Sequence, residues 1–196
     1  MVSDPVLQWV LTLAFTATAA YALLRLIVDR QPLLTVGNAL HLVMSAAMVA
    51  MCWPWWTVVP SIPQLIVFAS GAAWFAALTV LQSSRRVSHA ALGGHSAWHQ
   101  VSHAIMMLAM TWMVIVTPSG STPAEDTHHH GGLDLWASLS GVAITAALLT
   151  SGVIFLVEFV LSLRGHRTWL GHTGDVASGA AMSLGMAAMS LPMITG

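Results

Sequence analysis

What most constrains this chain is a succession of long apolar runs that charge hardly interrupts. Six segments, at about 5–28, 36–53, 62–82, 97–117, 134–163 and 174–194, are apolar through most of their length. Crossing a hydrocarbon core of roughly 30 Å takes about 20 such residues in a helix. Runs this long and without alternation exclude a membrane β-barrel, whose strands alternate over about 10 residues. Only 7% of the residues are charged, against about 25% in soluble domains. Such a surface suits lipid rather than water. The expected architecture is all-α: a polytopic membrane helix bundle of six transmembrane helices, forming a single domain over residues 1–196.

Pro5, Pro54, Pro60, Pro63, Pro118 and Pro123 fall at or outside the ends of these runs, where proline interrupts no helical hydrogen bond. The only long polar connection, TPSGSTPAEDTHHHGGLD at 117–134, is rich in turn residues. The amino terminus carries Asp4 and no basic residue before its apolar run. It therefore lacks the positive region of a signal peptide and reads as a retained first span. The single Cys52 provides neither an internal disulfide nor a CxxC site. A net charge of -1 offers nothing to nucleic acid.

The six arginines, with no lysine in the chain, give the bundle an orientation. Arg25 and Arg30 follow the first run, Arg85 and Arg86 the third, Arg164 and Arg167 the fifth. With six spans, these three connections share one side, which the positive-inside rule makes cytoplasmic. Both termini and the His-rich loop 119–133 then lie outside, in the plasma membrane, with Asp4, Glu125, Asp126 and Asp134. Trp9, Trp53, Trp55, Trp56 and Trp136 would form an aromatic belt on that side. The spans group into three helical hairpins.

The even-numbered spans carry a repeated pattern. HLVMSAAMVAM places His41, Met44, Met48 and Met51 at offsets 0, 3, 7 and 10. HAIMMLAMTWM repeats those offsets with His103, Met106, Met110 and Met113. On an α-helix these offsets fall within a sector of roughly 80°. His95 and His99 extend the second stripe downward in steps of four. The sixth span varies the theme with His172, Asp175, Gly179 and Met182, followed by Met186, Met189 and Met193. Aspartate there stands for the first methionine, and glycine for the second. Glu158 is the only charge well inside the fifth run, near its cytoplasmic end, and is placed to orient the imidazoles.

Methionine fills irregular core space well, so one Met stripe alone speaks for packing. Packing does not call for a histidine at the head of each stripe, however, because an intramembrane ionisable group needs a partner. Thioethers are soft, neutral ligands suited to Cu(I). The first functional reading is a plasma-membrane protein that binds or translocates Cu(I). Its ligands would be His41, Met44, Met48, Met51, His99, His103, Met106, Met110, Met113, His172, Asp175, Met182, Met186 and Met189, with Glu158 behind them. HHH at 128–130 would collect metal outside. No phosphate-binding loop or phosphorylation motif accompanies the spans, and the direction of any transport stays open.

Three other readings stand beside it. An intramembrane zinc hydrolase would use three histidines with Asp175 and Glu158, making this an enzyme. A bis-His haem b protein would set His41 or His172 opposite His103. An accessory subunit of the bilayer would need no chemistry.

The two HxxMxxxMxxM stretches at 41–51 and 103–113, with 172–193, also carry a resemblance. The chain resembles the short actinobacterial integral membrane proteins grouped as a domain of unknown function with His-then-Met helices. The resemblance implies a polytopic plasma-membrane protein with a link to copper handling, and supplies no activity or site residues. Gly179 departs from the repeat in the third copy.

Overall fold

The computed structural model describes residues 4–29, 31–87, 96–116, 135–164 and 169–195. Six α-helices account for most of these: α1 Pro5–Val28, α2 Pro32–Met51, α3 Ser61–Ser83, α4 Ala97–Val116, α5 Leu135–Arg164 and α6 Gly174–Thr195. No strand occurs among the described residues. The expected all-α membrane bundle is the observed fold. The helix limits agree with the apolar runs to within a few residues, the largest difference being that α2 begins at Pro32. Proline there occupies the first turn, where its missing N–H would have had no helical acceptor. Asp4 caps α1 by accepting from the Val6 N–H at 2.8 Å, and Pro5 occupies the next position. A short 3₁₀ turn at Pro54–Val58 and a π turn at Trp169–Thr173 complete the described elements.

Packing is most extensive within α1–α2, α3–α4 and α5–α6, the three hairpins that the sequence suggests. Further contacts run from α6 to α1 and α4, and from α4 to α5. Five helices, α1 to α5, are long and apolar enough to cross a membrane. The sixth has the length but a more polar composition, and its surroundings explain why. From Gly174 to Ser190 no residue of α6 is exposed, and only a stripe of Ala177, Ala181, Leu184 and Ala188 is half-buried beside Asp175, so the helix packs mostly against its neighbours. α5 differs sharply, with Val142, Leu149, Val153, Leu156, Val157 and Val160 all exposed.

Burying most of a helix requires small residues where neighbours approach. A Cβ on Gly185 would lie 2.5 Å from Phe15 Cζ, and one on Gly152 of α5 would lie 2.7 Å from Leu184 Cδ2. Glycine at these two points lets α1 and α5 close onto α6. Trp9 and Trp53 meet edge to face at 5.4 Å, at the same end of the bundle as the largely exposed Trp55 and Trp136.

Candidate functional site

The His/Met stripes of α2, α4 and α6 turn inward. Met44, Met48, Met106, Met110, Met113, Met182 and Met186 are fully buried, and Met51 and Met189 nearly so. All belong to one continuous hydrophobic core. Polar side chains enter this core in a regular way. The hydroxyl oxygens of Thr18 of α1 and Ser45 of α2 lie 3.4 and 3.6 Å from the Met182 sulfur. The two hydroxyls are 3.2 Å from each other, while Ser45 also donates to the His41 carbonyl at 2.8 Å. Further along, Thr145 and Ser190 pair their hydroxyls at 2.9 Å.

Below the methionines lies a polar layer. His41, His99 and His103 are all buried. The ring centroids of His41 and His103 are 5.0 Å apart, and those of His99 and His103 are 4.5 Å apart. Nε2 of His103 lies 3.1 Å from Nε2 of His99. Two nitrogens that each lie ~2.0–2.1 Å from a shared ion at a near-tetrahedral angle would be ~3.3 Å apart. The spacing thus accommodates either an N–H···N bond or two ligands of one ion. Phe75 packs against His103 at 5.1 Å and Phe155 against His99 at 5.4 Å, enclosing the imidazoles with rings. His41 Nε2 lies 3.1 Å from Ser178 Oγ of α6.

These histidines share a cavity of about 60 Å³ with Tyr21, Arg25, Asn38, Gln100, Asp175 and Ser178. Asp175 accepts from the Tyr21 hydroxyl at 2.8 Å and lies 3.6 Å from Arg25 Nη2. The Tyr21 hydroxyl is also 3.2 Å from the Gly171 carbonyl. Arg25 lies 3.1 Å from Asp29, which in turn accepts from Asn38 Nδ2 at 3.0 Å. α1, α2 and the entrance to α6 are therefore joined by one polar network.

The third stripe is not where the repeat would place it. Histidine 172 lies in the π turn ahead of α6 and is exposed, apart from His41 and His103. The residue of α6 at the depth of His41 is Ser178, so Met182, Met186 and Met189 follow at offsets 4, 8 and 11. Six residues separate His172 from Ser178, equivalent to ~9 Å of helix rise. Asp175 does line the cavity, as expected. Gly179 receives the Phe155 ring, which would lie 3.0 Å from an added Cβ. The aromatic ring thus occupies the room that a methionine would need.

Glu158 is half-buried on α5 and is not among the residues lining the cavity. Cys52, buried at the far end of α2, directs its thiol to the Met48 carbonyl at 3.3 Å. No group of three His, Cys, Asp or Glu among the described residues is disposed to hold a metal ion; thioethers stand outside that count. His95, Glu125, Asp126 and His128, His129 and His130 lie outside the described residues.

Sequence reasoning missed Tyr21, Asn38, Gln100 and Ser178. It counted Arg25 with the connection that follows the first run, although the limits 5–28 contain the residue, which belongs to the last turn of α1. One signal was available: Tyr21, the only tyrosine, and Arg25 are four residues apart and therefore share a helix face.

Residues 33–193 match a family described as a domain of unknown function, DUF5134. An uncharacterized protein of Mycobacterium tuberculosis and one of Mycobacterium bovis are each 30% identical to the chain. Each alignment covers 99% of both sequences. No solved structure matches.

Proposed function

Because the chain belongs to the DUF5134 family, whose description assigns no chemistry, we propose from the site itself that this membrane protein binds Cu(I) and passes it along its core. The observation that carries the reading is the stacking of two donor layers. His41, His99 and His103 gather around one cavity, and directly continuous with them lies a buried core of methionine sulfur from α2, α4 and α6. Imidazole can receive the ion, and soft thioethers favour Cu(I) over harder cations. Neutral, individually weak donors would also let an ion move on, as conduction requires.

The arginine distribution supports a histidine end facing the cytoplasm and methionines rising toward the outer face of the plasma membrane. The zinc-hydrolase reading would use the same histidines with Asp175, but it leaves the buried methionines without a part.

Elemental analysis tests the proposal. Detergent-purified, tag-free protein would be incubated under reducing conditions with limiting Cu(I) and Zn(II) together. About one or more copper ions retained per chain, lost on combining His41→Ala with His103→Ala, is the expected result for a soft-metal site. Retention of zinc alone would favour the hydrolase, and retention of neither would leave the methionines as packing.

A further inference from the structure

The cavity that gathers the histidines also holds a permanent cation. Arg25 lines it together with His41, His99, His103 and Asp175, and its side chain is only 13% exposed. The guanidinium is 3.1 Å from Asp29 and 3.6 Å from Asp175. Both carboxylates are fixed by further donors, Asn38 on Asp29 at 3.0 Å and Tyr21 on Asp175 at 2.8 Å. A positive charge beside a receiving site for cations is an expense that metal binding alone does not explain.

Resting on the reading that these histidines receive a metal ion, we propose that Arg25 determines which ions enter: it opposes divalent cations and leaves the site to monovalent soft ones. Arg25, Asp29 and Asp175, in their usual ionised forms, together carry one net negative charge. Replacing Arg25 by a neutral side chain doubles that negative charge. An ion responds to such a change in proportion to its own charge, so a divalent ion gains twice what a monovalent ion gains. The altered cavity would combine imidazole nitrogen with carboxylate oxygen, donors that suit Zn(II). Arginine retains its charge at any working pH, which makes it a constant filter.

A purely architectural role for the ion pairs, tying α1 to α6, predicts something different. Substitution would then lower stability without altering the ratio of metals bound. The full-length protein, purified without a tag under reducing conditions, would be given equal limiting amounts of Cu(I) and Zn(II). The zinc-to-copper ratio retained would be compared among wild type, Arg25→Gln, Arg25→Lys and Asp29→Asn, with size exclusion reporting folding.

Arg25→Gln is expected to raise the ratio about a hundredfold, the order of effect of one charge acting over roughly 6 Å at an effective dielectric of about 20. Arg25→Lys should stay near wild type because the charge remains. Asp29→Asn should move the ratio the other way. If Arg25→Gln does not fold, the opposite shift in Asp29→Asn still supports the filter. Wild-type protein that retains copper while the folded variants keep its ratio overturns the role of Arg25 and spares the copper reading. Wild-type protein that retains no metal overturns both.

Discussion

The two halves of the core obey different rules although α2, α4 and α6 build both. In the upper half, methionines fill a closed interior in which the few polar atoms are hydroxyls turned toward helix carbonyls, each other or the Met182 sulfur. In the lower half, the Asp175 carboxylate, a guanidinium, a phenol and three imidazoles line a cavity, and Asp29 pairs with the guanidinium beside it. Apolar volume can account for the upper half, since leucine and methionine are close in size. It cannot account for the lower half, where each buried polar group costs free energy unless it finds a partner. Function is therefore more securely sought among the histidines, and the methionines acquire a role only if they respond to what the histidines hold.

The largest expected effect tests that dependence directly. Combining Met44→Leu, Met48→Leu, Met106→Leu and Met110→Leu conserves volume nearly everywhere and should cost less than about 1.5 kcal/mol per site. Copper affinity, measured by competition with a Cu(I) chelator, should nevertheless fall about a hundredfold, equivalent to ~2.7 kcal/mol. Unchanged affinity would confine the ligands to the lower half and return the thioethers to packing.

A second effect distinguishes a tightly fitted upper half from a loosely filled one. Gly185→Ala would bring a Cβ to within 2.5 Å of the fully buried Phe15 ring. Overpacking of this kind should cost about 2–3 kcal/mol, read as a lower thermal unfolding midpoint in detergent. A variant as stable as wild type would mean that α1 can give way and that the upper half tolerates shape change. In the lower half, Tyr21→Phe removes the hydroxyl shared by Asp175 and Gly171. Loss of a hydrogen bond to a charged group should cost about 1.5–2 kcal/mol, measured in the same way. No loss of stability would show that Asp175 does not depend on that donor.

The comparison also separates what was legible in the sequence from what was not. Spans emerged clearly, because a helix facing lipid must be apolar for its whole length, and α1 and α4 begin where their apolar runs begin. α6 was found despite its serines and glycines, but its place at the centre was not, because composition registers burial among helices only weakly. Periodicity revealed that Met44 and Met48 share a face, and likewise Met182 and Met186. It could not reveal relative depth, which packing between helices sets. Hence His172 was aligned with His41 when Ser178 stands at that level. Arg25 illustrates a related difficulty. A basic residue near the end of a span serves equally as a topological signal or as a buried partner, and only tertiary structure shows the Asp175 carboxylate waiting for it.

The smallest effect joins the two halves through one aromatic ring. Phe155 rests on the bare backbone of Gly179 and meets His99 edge to face at 5.4 Å. Gly179→Ala places a Cβ 3.0 Å from the ring, so the ring must shift by a few tenths of an ångström or the helices must part slightly. Overpacking this mild should cost about 1 kcal/mol, at the low end of its usual range. A shifted ring would also press on His99, whose Nε2 lies 3.1 Å from that of His103. If the histidines hold copper and charge sets the preference, copper affinity should fall by several-fold while the zinc-to-copper ratio stays constant. A variant that loses stability but binds copper as wild type does would show that Phe155 holds α5 to α6 without shaping the histidine pair.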